Sequence, residues 1–132
     1  MKKIVLAIGF LLIGAALLVA QARNPVTLKL LFYSPELADQ YNDMAKAYHD
    51  QTGNTLDITV LQSDFVTVLR AKLNSGDIPD VFMSSAYADN ATYKDYYLDL
   101  TDQDFIKRIE PTALLGVTVD GRVTGYPFLV QS

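Results

Sequence analysis

The sequence predicts an α/β fold built on a mainly parallel sheet with flanking helices. Two β-rich segments, 26–33 and 55–61, are each followed by a segment whose apolar residues recur at helical spacing. A third short apolar segment, 80–83, comes after the second helical segment. Strands and helices that alternate in this order, joined by short polar turns, are typical of a parallel sheet with right-handed crossovers.

The first strand and helix have clear boundaries in the sequence. Segment 26–33 is almost wholly apolar, as expected of a strand buried on both faces. Ser34 and Pro35 predict a helix start, with Ser34 as the N-cap and Pro35 at the first helical position. The helix runs to Gln51, and Gly53 suits the left-handed turn that closes it. We expect its core face to contain Leu37, Tyr41, Met44, Ala45 and Tyr48.

The second strand and helix follow the same pattern. Segment 55–61 leads to Asp64, a predicted N-cap for the next helix, which ends at 74–76. Pro79 and Asp80 indicate a turn in which the Asp80 carboxylate accepts hydrogen bonds from nearby backbone N–H groups. We expect the core face of this helix to contain Phe65, Val66, Leu69 and Leu73.

The last third of the chain carries weaker signals. Residues 86–97 are predicted to be helical, and 101–104 to open a short helix that ends before Pro111. Asp120 and Gly121 stand between β-forming residues, which is the strongest short-range signal for a hairpin.

The N-terminal segment has the pattern of an export signal. Lys2 and Lys3 precede an uncharged apolar run, 4–20, which ends in the small-residue pattern of Ala20-Gln21-Ala22. We therefore expect residues 1–22 to be a signal peptide and the protein to be periplasmic or extracellular. An uncleaved membrane anchor is the alternative, because the run is close to the length of a membrane-spanning helix. Gln21 stands where a lipoprotein signal has its acylated Cys, so we expect no lipid.

Composition excludes several classes of function. The length of 132 residues allows one domain, and 15 Asp and Glu outnumber 11 Lys and Arg. A chain with this charge is unsuited to nucleic acid, whose phosphates require a basic surface. The chain has no Cys and one His, so disulfides, thiol chemistry and transition-metal sites are not expected, and we predict no cofactor.

Polar and aromatic side chains follow all three predicted strands. In open α/β sheets, ligands bind beyond the carboxyl ends of the strands, where loops and helix N-termini converge. The groups present are neutral except for one carboxylate, and a Gly-rich phosphate loop is absent from the sequence. This set suits an uncharged polyhydroxylated ligand, whose hydroxyls bind polar groups and whose C–H faces pack on aromatic rings. The residues are Phe32, Tyr33, Ser34, Gln62, Ser63, Asp64, Ser84, Ser85 and Tyr87.

Three motifs after the leader resemble those of a known family. They are NSGDIPDVF at 74–82, LDLT at 98–101 and DGRVTGYP at 120–127. Their order and spacing are similar to those of the family 1 extracellular solute-binding proteins of sugar-type ABC transporters. The resemblance implies a periplasmic-binding-protein-like lobe, one of two lobes that close over a ligand. It covers 23–132, which is about a third of the length expected of two full domains. We therefore expect an N-terminal lobe that ends at the first hinge crossover, with the second lobe absent.

The resemblance also implies a binding site and partners. The ligand would be a small-molecule solute, expected to be a sugar, and the partners would be the permease subunits of the transporter. We expect no nucleic acid partner, a monomer and no enzymatic activity. The implied ligand-binding residues are Tyr33, Ser34, Asp64, Ser84, Ser85, Tyr87, Tyr126 and Gln131.

Other interpretations remain open at this point. The same fold could bind a peptide, polyamine or carboxylate, although no Lys or Arg stands at the three strand ends and Asp64 is the one acid there. A secreted α/β hydrolase or deacetylase fragment is an alternative from another class. A catalytic triad would need His49, which is predicted at the far end of a helix. A membrane-anchored sensor domain that keeps its leader is a third alternative.

Several residues of these motifs also have structural interpretations. Asp64 is a candidate helix cap as well as a ligand contact, and Ser84 with Ser85 could form an ordinary turn. The acids Asp99, Asp102 and Asp104 could suggest a glycosidase pair, but their spacing around Thr101 favours a capped helix start. A cluster of Tyr93, Tyr96 and Tyr97 is expected to cover the core in part.

Overall fold

The computed structural model describes residues 24–128. The predicted signal peptide and Gln131 lie outside the described residues. The chain divides into two compact units, Met1–Phe82 and Met83–Ser132, which we call the first and the second unit.

A parallel three-stranded sheet forms the centre of the first unit. Its strands are β1 (Thr27–Tyr33), β2 (Thr55–Leu61) and β3 (Val81–Phe82), in the order β2-β1-β3. Thr27 pairs with Thr55 at one end and Tyr33 with Leu61 at the other, so β1 and β2 match over their full length. Both pairings with β1 are parallel, which confirms the predicted sheet.

Two helices connect these strands. A turn of 3-10 helix, Pro35–Leu37, leads into α1 (Ala38–Thr52), and α2 is Phe65–Ser75. Gly53, at φ 73°, ends α1 in the left-handed conformation that was predicted. The strand and helix boundaries of the first unit therefore agree closely with those predicted from hydrophobic spacing.

Rings on β1 show how the helices cover the sheet. Phe32 contacts Tyr41 of α1, with ring centroids 5.0 Å apart, and the adjacent Tyr33 contacts Phe65 of α2 at 5.9 Å. Successive residues of a strand point to opposite faces, so α1 and α2 pack on opposite sides of the sheet. The core between these layers contains the buried residues Leu30, Leu31, Tyr41, Leu69 and Leu73.

The loop before β3 is fixed to β1 by two aspartates. Asp80 Oδ2 accepts a hydrogen bond from the Lys29 N–H at 2.7 Å, and the Asp80 N–H donates to the Lys29 carbonyl at 2.8 Å. Asp77 bridges Lys29 and Lys72 at 2.8 and 2.7 Å. The hydrogen bonds from Lys29 and Lys72 lower the pKa of Asp77 to about 2. The structural interpretation of Asp80 is thus confirmed, and much of the first family-like motif holds the sheet together.

The predicted side-chain caps of the first unit are wrong. Ser34 and Asp64 precede the helices as expected, but both are left-handed, at φ 85° and 57°, and neither side chain caps its helix. A capping oxygen reaches the first N–H groups from the extended region, which these two residues do not occupy. Val66 is also misplaced, since it is 46% exposed while Leu69 and Leu73 form the buried stripe. Val66 lies in the first turn of α2, whereas Leu69 and Leu73 lie further along the helix.

The second unit consists of short elements. Helix α3 (Ala86–Tyr93) continues as a 3-10 turn, Lys94–Tyr96, which confirms most of the helix predicted over 86–97. Its remaining elements are the 3-10 turn Ile106–Arg108, α4 (Pro111–Leu114), the 3-10 turn Leu115–Val117, and the antiparallel strands β4 (Thr118–Val119) and β5 (Arg122–Val123). Its buried apolar residues are Tyr93, Ile106 and Val123.

The short helix predicted to open at 101–104 begins later than expected, because residues 101–104 form turns and the 3-10 turn Ile106–Arg108 follows them. Asp99 Oδ1 accepts hydrogen bonds from the Thr101 N–H at 3.0 Å and from its hydroxyl at 2.6 Å. The Thr101 hydroxyl in turn accepts from the Val123 N–H at 3.0 Å. Side-chain bonds to the backbone compete with helix formation, and here they fix a turn against β5.

The predicted hairpin between β4 and β5 is confirmed. Thr118 pairs with Val123 and Val119 with Arg122, which leaves Asp120 and Gly121 as the turn. Their φ values of 50° and 79° are both positive, as a two-residue type I′ turn requires.

Candidate ligand-binding site

The first group of predicted site residues stands at one edge of the sheet. Because Tyr33 pairs with Leu61 in a parallel register, the carboxyl ends of β1 and β2 lie side by side. Tyr33 is the last residue of β1, Ser34 follows it, and Asp64 follows β2, so all three occupy this edge. This is the edge at which open α/β sheets bind ligands.

Tyr33 presents an aromatic surface at this edge. The residue is 55% exposed, and its ring lies 5.9 Å from that of Phe65 with a tilt of 56° between the ring planes. Tilted rings at this distance attract one another, so Phe65 supports the orientation of Tyr33. The hydrophobic pattern assigned Phe65 to the core alone. Its position in the sequence could have indicated that it also borders the site. Phe65 is the first residue of a helix and directly follows the loop at the end of a strand.

The Asp64 carboxylate is available to a ligand. Within residues 24–128 its one hydrogen bond comes from the Ser63 hydroxyl, which donates to Oδ2 at 3.0 Å. The helix uses the backbone of Asp64 instead, because the Val68 N–H donates to its carbonyl at 3.0 Å. Asp64 is exposed, so its Oδ1 can accept a hydrogen bond from a bound hydroxyl.

Ser34 differs from its neighbours because its surface is covered. It is 6% exposed, and its side chain interacts with the buried Tyr41. Burial raises the pKa of the Tyr41 phenol, and the interaction with Ser34 opposes this shift. Among the predicted residues at this edge, Ser34 is thus tied to the core.

The second unit contains Ser84, Ser85 and Tyr87 around the start of α3. Tyr87 is 70% exposed, and the Ser85 N–H donates to Asp89 Oδ2 at 2.6 Å, which fixes the first turn of the helix. Burial raises the pKa of Tyr97, and an interaction with the Ser84 side chain opposes the shift. The Ser84 side chain is therefore close to Tyr97 within its own unit.

Tyr126 resembles Tyr33 in its surroundings. It is 64% exposed, and its ring centroid lies 6.4 Å from that of Phe105 at an angle of 47°. Each unit thus contains an exposed tyrosine supported by a phenylalanine.

The remaining tyrosine cluster and the acids have structural roles. Tyr93 is 2% exposed, which confirms that part of the cluster covers the core, whereas Tyr96 is 41% exposed. Hydrogen bonds from the Thr101 side chain and backbone lower the pKa of Asp99, and Asp104 pairs with Lys107 at 2.7 Å. These acids are therefore engaged in local structure.

Within residues 24–128, no group of three or more His, Asp or Glu side chains is placed to hold a metal ion. The range also contains no helix that is both long enough and apolar enough to cross a membrane. The Nδ1 atom of His49 lies 3.0 Å from the Asn54 carbonyl oxygen at the end of α1.

Solved structures similar to this chain are solute-binding proteins. MalE3 from T. maritima, bound to maltose, is 19% identical, and the match covers 74% of this chain and 27% of MalE3 with a TM-score of 0.64. Lmo0181 from Listeria monocytogenes, an ABC substrate-binding protein in complex with cycloalternan, is 21% identical over 75% of this chain and 28% of its own, with a TM-score of 0.63. A family 1 extracellular solute-binding protein from Bifidobacterium longum subsp. infantis is 22% identical over 76% and 27%, with a TM-score of 0.62.

The fold is that of the family 1 extracellular solute-binding proteins. The resemblance drawn from the three motifs is confirmed at this level. No protein-family model and no curated protein matches the sequence. This chain spans only about a quarter of the length of these solved neighbours.

Proposed function

We propose that the chain contributes the first part of a carbohydrate-binding site in an exported solute-binding protein, which delivers its ligand to the permease of an ABC importer. The observation that supports this best is the arrangement at the sheet edge. There the exposed Tyr33 ring packs on Phe65, and the Asp64 carboxylate, which does not cap its helix, lies at the same edge. The maltose and cycloalternan complexes of two neighbours support a sugar as the ligand class.

The chemistry of this edge suits a neutral sugar. An aromatic ring packs against the C–H face of a pyranose, and a carboxylate oxygen accepts hydrogen bonds from its hydroxyls. An anionic ligand would need a basic partner, and Tyr33, Ser34 and Asp64 include none. A polyamine would need more than the single acid of this set. The other proposed contacts, carried over from the resemblance, are Ser84, Ser85, Tyr87, Tyr126 and Gln131.

The proposed mechanism is ligand-driven closure. A ligand that contacts both lobes binds the closed form better than the open form, and this difference in affinity alone drives closure. The permease would then bind the closed shape. In this proposal residues 1–22 are a signal peptide, 23–132 belong to the N-terminal lobe, and the protein is a monomer that acts without a cofactor or catalysis.

A titration followed by NMR tests the ligand class. We expect the 132-residue chain to bind maltose or raffinose weakly, with a Kd of about 1 mM or higher, because it supplies only part of a cleft. Tyr33→Ala should weaken this binding, whereas Tyr33→Phe keeps the ring and should bind like the unsubstituted chain. Spermidine, citrate and a tetrapeptide serve as comparison ligands.

The outcomes separate the alternatives. Preference for spermidine, citrate or the peptide would overturn the sugar assignment, and hydrolysis of glycoside or ester substrates would overturn the non-enzymatic role. Micromolar sugar binding in calorimetry would show that the site is already complete in this chain, contrary to the partial cleft.

The gene tests the transport role independently. An open reading frame that continues past codon 132 into a second α/β lobe, beside permease genes, supports the proposal. A stop codon there with no permease gene nearby would contradict it.

A further inference from the structure

Tyr87 is 70% exposed, yet its ring lies close enough to residue 116 that a side chain there would touch it. A Cβ atom added to Gly116 would lie 3.5 Å from Cε2 of Tyr87 and 3.9 Å from its Cζ. The same atom would lie 3.4 Å from the Cβ of Ala86. Gly116 is not among the residues of 24–128 with positive φ, so its backbone does not require glycine. What a side chain at 116 would occupy is the space beside the tyrosine.

Hydrogen bonds on both sides hold Gly116 in place. Asn90 Nδ2 of α3 donates to the Gly116 carbonyl at 3.3 Å. The Thr118 hydroxyl donates to the Leu114 carbonyl at 2.7 Å, and the N–H and hydroxyl of Thr124 donate to the Val117 carbonyl at 2.9 and 3.0 Å. The segment beside Tyr87 is therefore held in place by hydrogen bonds within the second unit.

The backbone before Tyr87 is also constrained. Ala86 has a φ of 39°, a value that residues other than glycine seldom adopt. Strained backbone of this kind persists where the surrounding structure enforces it, and it often occurs at functional sites. Because Ala86 directly precedes Tyr87, its backbone conformation contributes to the direction in which the Tyr87 side chain leaves α3.

We propose that Gly116 is a positioning residue that holds the Tyr87 ring in the orientation that contacts the ligand. This inference rests on the proposed function, because it assigns a role to Tyr87 in sugar binding. A ring that is already oriented loses less conformational freedom on binding, so its contact contributes more to affinity. The methyl groups of a branched side chain at 116 extend beyond the Cβ position into the space of the Tyr87 ring, and they displace the ring.

A double-mutant cycle in the 132-residue chain tests the proposal. NMR titration with maltose should show binding about threefold to tenfold weaker for Gly116→Val than for the unsubstituted chain. Gly116→Ala should bind like the unsubstituted chain, because its Cβ fits at ordinary contact distance from the Tyr87 ring. In a Tyr87→Ala background, Gly116→Val should have no further effect. Gly125→Ala is the matched control, because its Cβ would meet the side chain of Val117 and not a tyrosine.

A structural readout that needs no ligand accompanies the cycle. Nuclear Overhauser effects should connect the Tyr87 ring protons to the Gly116 α-protons, and Gly116→Val should shift the Tyr87 ring resonances while leaving the β4–β5 hairpin shifts unchanged. An equal loss of affinity in the Tyr87→Ala background would overturn the positioning role. If the unsubstituted chain binds no sugar, the ligand role of Tyr87 fails with the proposed function, whereas the Overhauser contacts still decide whether Gly116 supports the ring.

Discussion

The two units of this chain fix their backbones in different ways. In the first unit, the seven-residue strands β1 and β2 pair over their full length, and helices cover both faces. In the described part of the second unit, residues 83–128, the longest regular element is the eight-residue α3, and β4 and β5 have two residues each. There, the hydroxyls of Thr101, Thr118 and Thr124 make hydrogen bonds to backbone groups that a longer sheet would pair with other backbone groups.

This difference determines where each unit is vulnerable. In the paired strands of the first unit the backbone hydrogen bonds are shared among many residues, so no single side chain is needed to make them. Substitutions there should change stability mainly through the apolar side chains packed between the layers. A turn held by one hydroxyl depends on that hydroxyl, because its loss leaves a backbone group unpaired. Each class of substitution should therefore act most strongly in one unit.

The largest effect is expected from the core of the first unit. Leu69 of α2 is 1% exposed, and Leu69→Ala should lower the free energy of unfolding by about 3 kcal/mol through lost burial and the cavity left behind. Val66→Ala on the same helix is the control, with an expected loss below about 1 kcal/mol because Val66 is 46% exposed. Urea unfolding followed by circular dichroism measures both. Equal losses would contradict the assignment of the buried face of α2.

An intermediate effect is expected from the turn of the second unit. Thr101→Val keeps the shape of the side chain but removes the acceptor of the Val123 N–H and the donor to Asp99. We expect a loss of about 1 to 2 kcal/mol, together with faster amide exchange at Val123. Thr92→Val, on exposed α3 surface, should leave both quantities nearly unchanged. An unchanged exchange rate at Val123 in Thr101→Val would show that this turn is held in some other way.

The same difference explains how far the sequence could predict the fold. Hydrophobic spacing located the strands and helices of the first unit, because burial and periodicity coincide in regular elements. The Asp120-Gly121 hairpin was also predicted, since its turn chemistry is local. The short helix expected before Pro111 is reduced to the 3-10 turn Ile106–Arg108, and the turn Leu115–Val117 was not predicted. The Gly116 carbonyl of the latter turn accepts from Asn90, 26 residues earlier, and spacing along the sequence does not indicate such a contact.

The candidate site shows the same limit. Tyr33 and Asp64 were located because strand ends can be read from the sequence, and their common edge follows from the parallel register. The left-handed backbone of Ser34 and Asp64 was missed, since serine and aspartate are favoured both as caps and in tight turns. Phe65 and Gly116 were also missed as neighbours of site tyrosines. Their roles depend on which aromatic ring lies beside them in the folded chain. The spacing of residues along one helix does not predict such a neighbour.

The smallest effect is expected from the ion pairs that join the loop before β3 to the sheet. Asp77 titrates at a pKa of about 2 in the folded chain, below its usual 3.8, because Lys29 and Lys72 bond to its charged form. A lowered folded pKa means that this stabilisation is fully present above about pH 4 and is lost as the pH falls toward 2. Asp77→Asn should therefore lower the unfolding temperature at pH 7, and its difference from the unsubstituted chain should shrink between pH 4 and 2. Thermal unfolding at these pH values, with the exposed Asp43→Asn on α1 as control, measures the effect. A difference in unfolding temperature that stays constant down to pH 2 would show that Asp77 acts through its shape alone. The stability of the first unit would then come from apolar packing and the strand hydrogen bonds, with no contribution from these ion pairs.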